Sequence, residues 1–527
     1  MRSTPGLRAL FAREQTMKTE SISHWLETVA AEHGSRTAIT FLRDGRVETD
    51  MTYAQLQSDV KRLANALLGL GVQKGDRVIL FIPKSLIAAV AHFAVQAIGA
   101  MAVPLNPGFK KNEMAYLLGD ADARLIIVEP DKKALVREID PAVQLLEISA
   151  AQPYQDIDFF RSAPESVPAL DSQPDDPALV IYTSGTTGNP KGAVLTHRNL
   201  VCDARNIIGI WEITTGDVLC HALPLFHVHG LCFALHTALL SGAHVRMLDQ
   251  FKPETVVAEL SRKTGDARCT VFMAVPAMYT KLMDYLGDRH LDFSHMRLFT
   301  SGSAPLLVKE FERIANVFGR EPVEREGMSE TGMNFSNPLT GKRIPGSIGL
   351  PLPGLEVRIV DSAKLTDVAQ GEIGELWLKS EAITPGYWRK PRETAETFKD
   401  GWFRTGDLGR IDDAGYYYLT DRIKHIIITG GENVSAKEVE TVINRIDGVD
   451  ESVVVGKPDE KWGEKVVAAV RLKPDAKLTE GDIKAFCKTN LHDWKCPKEI
   501  LFLEEIPRNT MGKILKEKVK EYFLDEC

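Results

Sequence analysis

Residues Thr183-Ser184-Gly185-Thr186-Thr187-Gly188-Asn189-Pro190-Lys191-Gly192 combine three glycines, four hydroxyl side chains and one lysine. Glycine lets successive backbone N–H groups turn toward one point, the hydroxyls add donors and Lys191 adds positive charge, so the stretch can cradle phosphate oxygens. Strand-like runs flank it, Ala178 to Tyr182 before and Ala193 to Leu195 after. A triphosphate is the guest that suits such a hairpin. It lacks a closing Gly-Lys-Ser/Thr triplet, and no helix opens directly behind it, which separates it from the P-loop. The alternative, a flexible Ser/Thr/Gly turn, leaves the concentration of hydroxyls beside a lysine unexplained.

Six further segments place polar side chains among small residues. They are Pro224-Leu225-Phe226-His227-Val228-His229-Gly230, Ser301-Gly302-Ser303-Ala304-Pro305, Gly327-Met328-Ser329-Glu330-Thr331, Thr405-Gly406-Asp407, Asp421-Arg422-Ile423-Lys424 and Pro507-Arg508-Asn509-Thr510-Met511-Gly512-Lys513. Taken singly, Glu330, Asp407, Arg422 and Lys513 read as solvated charges. In this wording and order, headed by the Thr183 hairpin, the segments resemble the adenylate-forming superfamily of acyl-CoA synthetases, luciferases and nonribosomal peptide adenylation domains. The resemblance spans residues 183 to 513.

It implies an AMP-forming acyl-CoA synthetase. ATP and a carboxylic acid would give an acyl-adenylate and pyrophosphate, and coenzyme A would then take the acyl group and release AMP, in a reaction close enough to balance to run either way. Attack of a carboxylate on the α-phosphorus brings two anions together, so the site must supply positive charge and positioning. Lys513 resembles the lysine that bridges the reactants. Glu330 resembles the acid that holds Mg2+, with the Thr187 hydroxyl beside it, oxygen ligands being what a hard cation takes.

On the same resemblance, Thr183, Ser184, Gly185, Thr186, Thr187, Gly188 and Lys191 contact phosphates. Ser303, Ala304 and Pro305 form a turn along the adenine, and Glu326, Gly327, Met328 and Ser329 lie beside the base. Asp407 accepts both ribose hydroxyls, and Arg422 reaches ribose and phosphate. His227 resembles the residue beside the acyl pocket, which Val228, Gly302 and Met333 would also line. Lys424 resembles a hinge about which the small C-terminal domain turns, and Gly430 and Gly431 the glycines past which pantetheine enters. A zinc reading of His227 and His229 needs a third ligand, for which His221 is a weak candidate.

One departure is chemical. The family pattern commonly carries an aromatic residue, stacked on adenine, where this chain has Glu326, and a carboxylate cannot stack. For the acid substrate, the run His295 to Leu306 and the segment Met333 to Gly349 look most like malonyl-CoA synthetases. Arg297 is then a candidate partner for a second carboxylate, since an arginine fork fixes orientation as well as charge. The alternatives are that Arg297 pairs with an acid of the protein, and that Phe226, Val228, Met333 and Phe335 line a pocket for a medium-chain, alicyclic or aromatic monocarboxylate. Rival classes fare less well: a peptide-synthetase module would add a carrier domain, a serine hydrolase needs a G-x-S-x-G elbow, and a catalytically silent nucleotide-binding protein would not need Lys513, Glu330 and Asp407 together.

The elements that must position these residues alternate between helix and strand. Leu56, Val60, Leu63 and Leu67 mark one face of a helix, and Arg77 to Phe81, Ala102 to Leu105 and Leu125 to Val128 read as strands around a helix over 86–98. This β-α-β rhythm predicts a largely parallel sheet, and it recurs at Val271 to Val275, before Pro276, and at Arg297 to Thr300. Residues 164–177 read as a surface linker. After Leu350 short strands such as Glu356 to Val360 and Glu375 to Leu378 predict a β-rich subdomain. Beyond Arg422 a helix over Glu438 to Arg445 and strands at Ser452 to Val455 and Val466 to Leu472 predict a small α+β domain. The fold class expected is therefore α/β, with a large adenylation domain over 17–422 and a small mobile C-terminal domain over 423–527 carrying Lys513.

Size and composition agree. A chain of 527 residues, 44% hydrophobic and 26% charged, is a multidomain globular protein. Its net charge of -8 offers no basic field for nucleic acid, leaving a small-molecule carboxylate, ATP and coenzyme A as partners. Seven cysteines without a C-x-x-C pair suggest a reducing cytoplasm. Residues 1–16, with Arg2, Arg8 and Arg13, resemble either a transit peptide, which would direct the chain to an organellar matrix, or a misassigned start before Met17. His92, Gln96, Gly99 and Pro104 interrupt the apolar run Leu86 to Leu105, which therefore reads as a buried helix and a strand and not as a membrane span.

Overall fold

A computed structural model describes residues 21–166, 173–183, 189–263, 267–508 and 514–524. The chain divides into two compact units. One takes in the residues up to Pro345 with Pro351–Leu355 and Lys379–Lys399; the other takes in Gly346–Leu350, Glu356–Leu378 and those from Asp400 onward.

Two sheets organise the first unit. In one, the strands Lys191–Thr196, Pro177–Thr183, Met101–Pro104, Arg77–Phe81, Leu125–Val128 and Gln144–Glu147 follow one another across the sheet. Met101–Pro104 and Leu125–Val128 flank Arg77–Phe81 in parallel and are buried throughout, which is why they read as unbroken apolar runs. The run that could be mistaken for a membrane span is a core helix, Leu86–Ala97, followed by Met101–Pro104. The Ser85 hydroxyl caps it by accepting from the Ala88 N–H, and every residue from Leu86 to Gln96 is buried. Among the described residues no helix is long and apolar enough to cross a membrane.

In the other sheet Val218–His221, Val271–Ala274, Leu298–Ser301 and Val323–Met328 lie parallel in that order, and Gly332–Ser336 returns antiparallel to the last. Because these strands share one direction, their carboxyl ends share one edge, and that edge is where ligands bind in open α/β sheets. The segments 224–230, 302–305 and 327–331 all leave the sheet there. The helix His197–Trp211 backs this region. Its Thr196 cap accepts from the Asn199 N–H while the Asn199 side chain bonds back, a closed capping box.

The second unit contains an antiparallel sheet built on Gly374–Lys379, Trp402–Ile411 and Tyr417–Arg422. Its other sheet has the order Glu432–Ser435, Ile426–Thr429, Gly463–Leu472, Val449–Asp459, with Glu499–Phe502 beside Gly463–Leu472. Helices Ala436–Ile443 and Glu480–Asn490 close one apolar cluster on it, and Lys516–Leu524 closes another. Here again short alternating strands give way to an α+β fold after Arg422.

Candidate active site

The strands on either side of the Thr/Gly-rich stretch pair as a hairpin, with Thr183 opposite Lys191 and Tyr182 opposite Gly192. Ser184, Gly185, Thr186, Thr187 and Gly188 lie outside the described residues, as does Lys513. At the root of the hairpin the Thr183 hydroxyl donates to the Lys191 carbonyl at 3.3 Å and to Glu330 Oε1 at 3.5 Å. The Tyr387 hydroxyl donates to the same Glu330 oxygen at 3.1 Å, and the Lys191 ammonium lies 5.3 Å from the centre of the Tyr387 ring. Burial and the Glu330 carboxylate raise the Tyr387 hydroxyl above its ordinary range. Glu330 is itself 8% exposed, and its backbone carbonyl accepts from the Thr384 N–H at 2.7 Å. Two segments distant in sequence thus hold one carboxylate oxygen at the root of the Thr/Gly-rich hairpin.

The turn after Leu298–Ser301 brings Gly302 and Ser303 under the same edge. Ser303 has φ of +68°, a left-handed conformation unusual for a residue with a side chain. Its hydroxyl lies 3.2 Å from His229 Nδ1. Ser303 and Pro305 are exposed and Ala304 half-buried, so small groups face solvent along the turn. Glu326, Gly327 and Met328 end the strand Val323–Met328 and, with Ser329, are half-buried. Glu326 Oε2 accepts from Asn334 Nδ2 at 3.0 Å.

His227 and Val228, half-buried, open the segment leading into a π-helical stretch, His229–His236. Burial pushes the His227 imidazole down to about 4, so it is neutral near pH 7, and its Nε2 has no hydrogen-bond partner. Burial also holds His229 well below its ordinary range, with Arg325 the next cause. Gly230 is sterically required: a Cβ there would lie 1.9 Å from the Pro224 carbonyl oxygen. Met333 is buried, and its N–H donates to Asp203 Oδ1 at 2.8 Å.

In the second unit Asp407 and Arg422 face each other across adjacent strands. Arg422 Nε lies 2.6 Å from Asp407 Oδ1, so the buried carboxylate is held in place by its partner. Lys424 is exposed in a short 3₁₀ turn, Ile423–His425, between two strands. Gly430 and Gly431 form the hairpin turn between Ile426–Thr429 and Glu432–Ser435 with φ of +60° and +87°. That geometry favours glycine at both positions. A Cβ on Gly430 would meet the Trp462 ring at 2.9 Å, whereas Gly431 has open space where its side chain would be.

Comparison with known proteins decides the family. The model described as "AMP-binding enzyme" matches residues 26–388, and that of the "AMP-binding enzyme C-terminal domain" matches 438–513. The chain belongs to the AMP-binding enzyme family. It is accordingly an acid–thiol ligase of the AMP-forming acyl-CoA ligase kind. Mouse mitochondrial malonate–CoA ligase is 35% identical, the match covering 89% of this chain and 86% of that protein. The oxalate–CoA ligase of Arabidopsis thaliana is 32% identical over 97% of this chain and all of the relative. Crystalline ATP-bound MatB from Rhodopseudomonas palustris superimposes with a TM-score of 0.89 at 35% identity, covering 96% of this chain and 100% of that one.

For this AMP-binding enzyme, of the two readings of Arg297, partner of a substrate carboxylate or partner of an acid of the protein, the structure shows the second. Arg297 Nε and Nη2 contact the two Asp217 oxygens at 2.6 and 2.7 Å, while Nη1 and Nη2 donate to the carbonyls of Trp211 and Glu212 at 3.0 Å each. The fork is engaged by an acid of the protein, and that ion pair holds Asp217 below the ordinary carboxylate range against the cost of burial. The residues that sequence reasoning passed over are Tyr387, which shares Glu330 with Thr183, and Arg325, whose guanidinium lies beside Gly302. Neither stands in a motif. The signal available for Arg325 was a lone basic residue inside a strand ending at the Glu330 segment.

Proposed function

We propose that the chain activates a short dicarboxylic acid, malonate foremost, as its acyl-adenylate and transfers the acyl group to coenzyme A. The observation that carries this reading is the corner formed by Thr183, Tyr387 and Glu330: a buried carboxylate fixed by two hydroxyls at the root of a phosphate-cradling hairpin. A carboxylate placed there fits a hard cation, which takes one or two protein oxygens together with the oxygens of a triphosphate. Mg2+ held by Glu330 and Thr187 would screen the charge of the triphosphate. The choice of acid is supported by the malonate- and oxalate-activating relatives.

The chain's own residues divide the remaining work. The N–H groups and hydroxyls from Thr183 to Gly188, with Lys191, hold the phosphates; Asp407, fixed by Arg422, receives the ribose hydroxyls. Neutral His227 orients the acid without adding charge. Lys513 brings positive charge between the two anions as the carboxylate approaches the α-phosphorus, where stabilisation of developing charge accounts for most of the rate. In the second step the small domain, turning at Lys424, offers the Gly430-Gly431 turn as a passage for the thiol. A medium-chain, alicyclic or aromatic acid is the second reading, favoured by the apolar side chains of Phe233, Met333 and Phe335 near the same edge.

Acid-dependent pyrophosphate release, with and without coenzyme A, tests the proposal across malonate, butyrate, benzoate and cyclohexane carboxylate. Malonate is expected to give the highest kcat/KM, and Lys513→Ala to lower adenylation by roughly 10²–10³-fold, the cost of removing a positioned charge-stabilising donor. Release independent of added acid, or an unaffected Lys513→Ala, counts against the reading.

A further inference from the structure

Asp120 stands in the last turn of the helix Lys111–Ala121, where the negative end of the helix dipole opposes a carboxylate. Its side chain is nevertheless only 6% exposed, and one oxygen lies 2.6 Å from the Lys390 ammonium. Two tyrosines also meet it. The Tyr182 hydroxyl donates to Asp120 Oδ2 at 2.8 Å, and the Tyr116 hydroxyl lies 3.4 Å from Oδ1. Burial first, and then Asp120 itself, raise the Tyr182 hydroxyl above its ordinary range, so it remains a donor near pH 7. Desolvating a carboxylate is costly, and a buried ion pair is weak ground for stability. The helix gains nothing from an acid at this end, so the reason for it lies in what its partners hold.

Those partners surround the root of the Thr/Gly-rich hairpin. On the outgoing strand, Pro177–Thr183, Tyr182 immediately precedes Thr183. On the returning side the Tyr116 hydroxyl donates to the Pro190 carbonyl at 3.0 Å, next to Lys191. Gly192 lets the two strands close on each other: a Cβ there would lie 2.7 Å from Val180 Cγ1 and 3.3 Å from the Tyr182 ring. A third segment, 386–390, joins them. Its strand Gly386–Tyr387 pairs with the returning strand Lys191–Thr196, and the Trp388 N–H donates to the Gly192 carbonyl at 2.7 Å. Trp388 Nε1 donates to the Asp120 backbone carbonyl at 3.2 Å, and Lys390 binds the Asp120 side chain. The same segment carries Tyr387, whose hydroxyl donates to Glu330.

The geometry points to Asp120 as a positioning residue of the adenylation step: it joins both sides of the hairpin root to the 386–390 segment, and so fixes where Thr183, Lys191 and Glu330 meet the triphosphate and its cation. The inference rests on the reading of the hairpin as the phosphate cradle. Asp120 touches no reactant. It acts through Tyr182 and Lys390, since donors already held in place need no reorganisation when the phosphates arrive. Acyl transfer to coenzyme A begins after pyrophosphate has left, so that step does not depend on the clamp.

Measuring the two half-reactions separately tests this. Asp120→Asn keeps an acceptor for Tyr182 and removes the charge that holds Lys390. It is expected to raise the KM for ATP in malonate-dependent pyrophosphate release by on the order of tenfold, the effect of losing one hydrogen bond to a charged group. Thioester formation from preformed acyl-adenylate and coenzyme A should keep the wild-type rate. Lys390→Met should show the same split, and the double variant should be no worse than either alone, because the two side chains act as one unit. A loss shared equally by both half-reactions marks a pair that serves only the fold and overturns the inference, as does an unchanged KM for ATP. Should Asp120→Asn fail to fold, Tyr182→Phe, which removes one bond of the clamp, decides by the same split. Calorimetric ATP binding separates the inference from the reading beneath it. If Lys191→Ala binds ATP as the wild type does, the cradle reading falls and the inference with it; if Lys191→Ala is weakened and Asp120→Asn is not, the inference alone is overturned. Weaker ATP binding by both variants, with no pyrophosphate released from malonate, upholds the clamp and counts against the proposed substrate.

Discussion

Glu326 sits where an aromatic side chain is usual, and its structural partners show what a carboxylate does there. It accepts from Asn334 and lends negative charge to neighbouring Arg325. Stacking on adenine is what such a residue forgoes. Glu326→Tyr is therefore expected to tighten ATP binding by about 1–3 kcal/mol, the range for base–aromatic stacking, measured as Kd by calorimetry; an unchanged or weaker Kd rejects the idea. The two neighbours also show how far single residues are legible in a sequence. Glu326 stood out because a motif defined what it replaced. Arg325 did not, because a basic residue between Glu324 and Glu326 reads as a solvated charge until the strand Val323–Met328 is seen to bury both Glu324 and Arg325. Arg297 stayed open for the converse reason: its fork, and the prospect of an acidic partner within the protein, were visible in the sequence, but not that the partner is Asp217, eighty positions earlier.

At the scale of elements, alternation of short apolar runs with helical faces was enough to place the strands Arg77–Phe81 and Leu125–Val128 and to mark a helix beginning at Pro276, because parallel strands buried on both faces read as short unbroken apolar runs. The π-helical stretch His229–His236 was not legible, since i to i+5 bonding has no periodic signature in so short a run. Nor could the sequence reveal how helix His197–Trp211 meets strand Gly332–Ser336. The junction is Asp203, whose Oδ1 accepts the Met333 N–H and comes within 2.7 Å of where a Cβ on Gly332 would be. Burial pushes this carboxyl up to about 7, above the ordinary value near 4. Between about pH 4 and pH 7 the folded state thus holds a proton that the unfolded chain has released, so this group lowers stability as pH rises through that window and adds no further change above it. Asp203→Asn keeps the acceptor and removes the titration. Its Tm relative to wild type should rise from pH 5 to pH 7 and then level off, whereas parallel Tm curves would show that Asp203 does not titrate in this range.

Across the whole molecule the titrating groups are unevenly distributed. Eight described histidines of the first unit, at 92, 197, 221, 227, 229, 236, 244 and 295, are held below the ordinary imidazole range, in each case chiefly by burial. In the second unit His425 is shifted in the same way, to about 3. An imidazole that stays neutral when folded stabilises the protein fully above its unfolded pKa, and the contribution shrinks as pH falls below about 6.5, by up to roughly 1.4 kcal/mol per pH unit and group. Asp203 and Glu129, both raised chiefly by burial, work the other way, but two carboxyls stand against eight imidazoles. Acidification from pH 7 to pH 5 should therefore loosen the first unit before the second. Hydrogen exchange read by peptide mass should show protection falling first in segments such as Leu86–Ala97 and His229–His236, with Val449–Asp459 and Gly463–Leu472 still protected. Simultaneous loss in all four segments would mean that buried histidines do not set the acid limit of the fold.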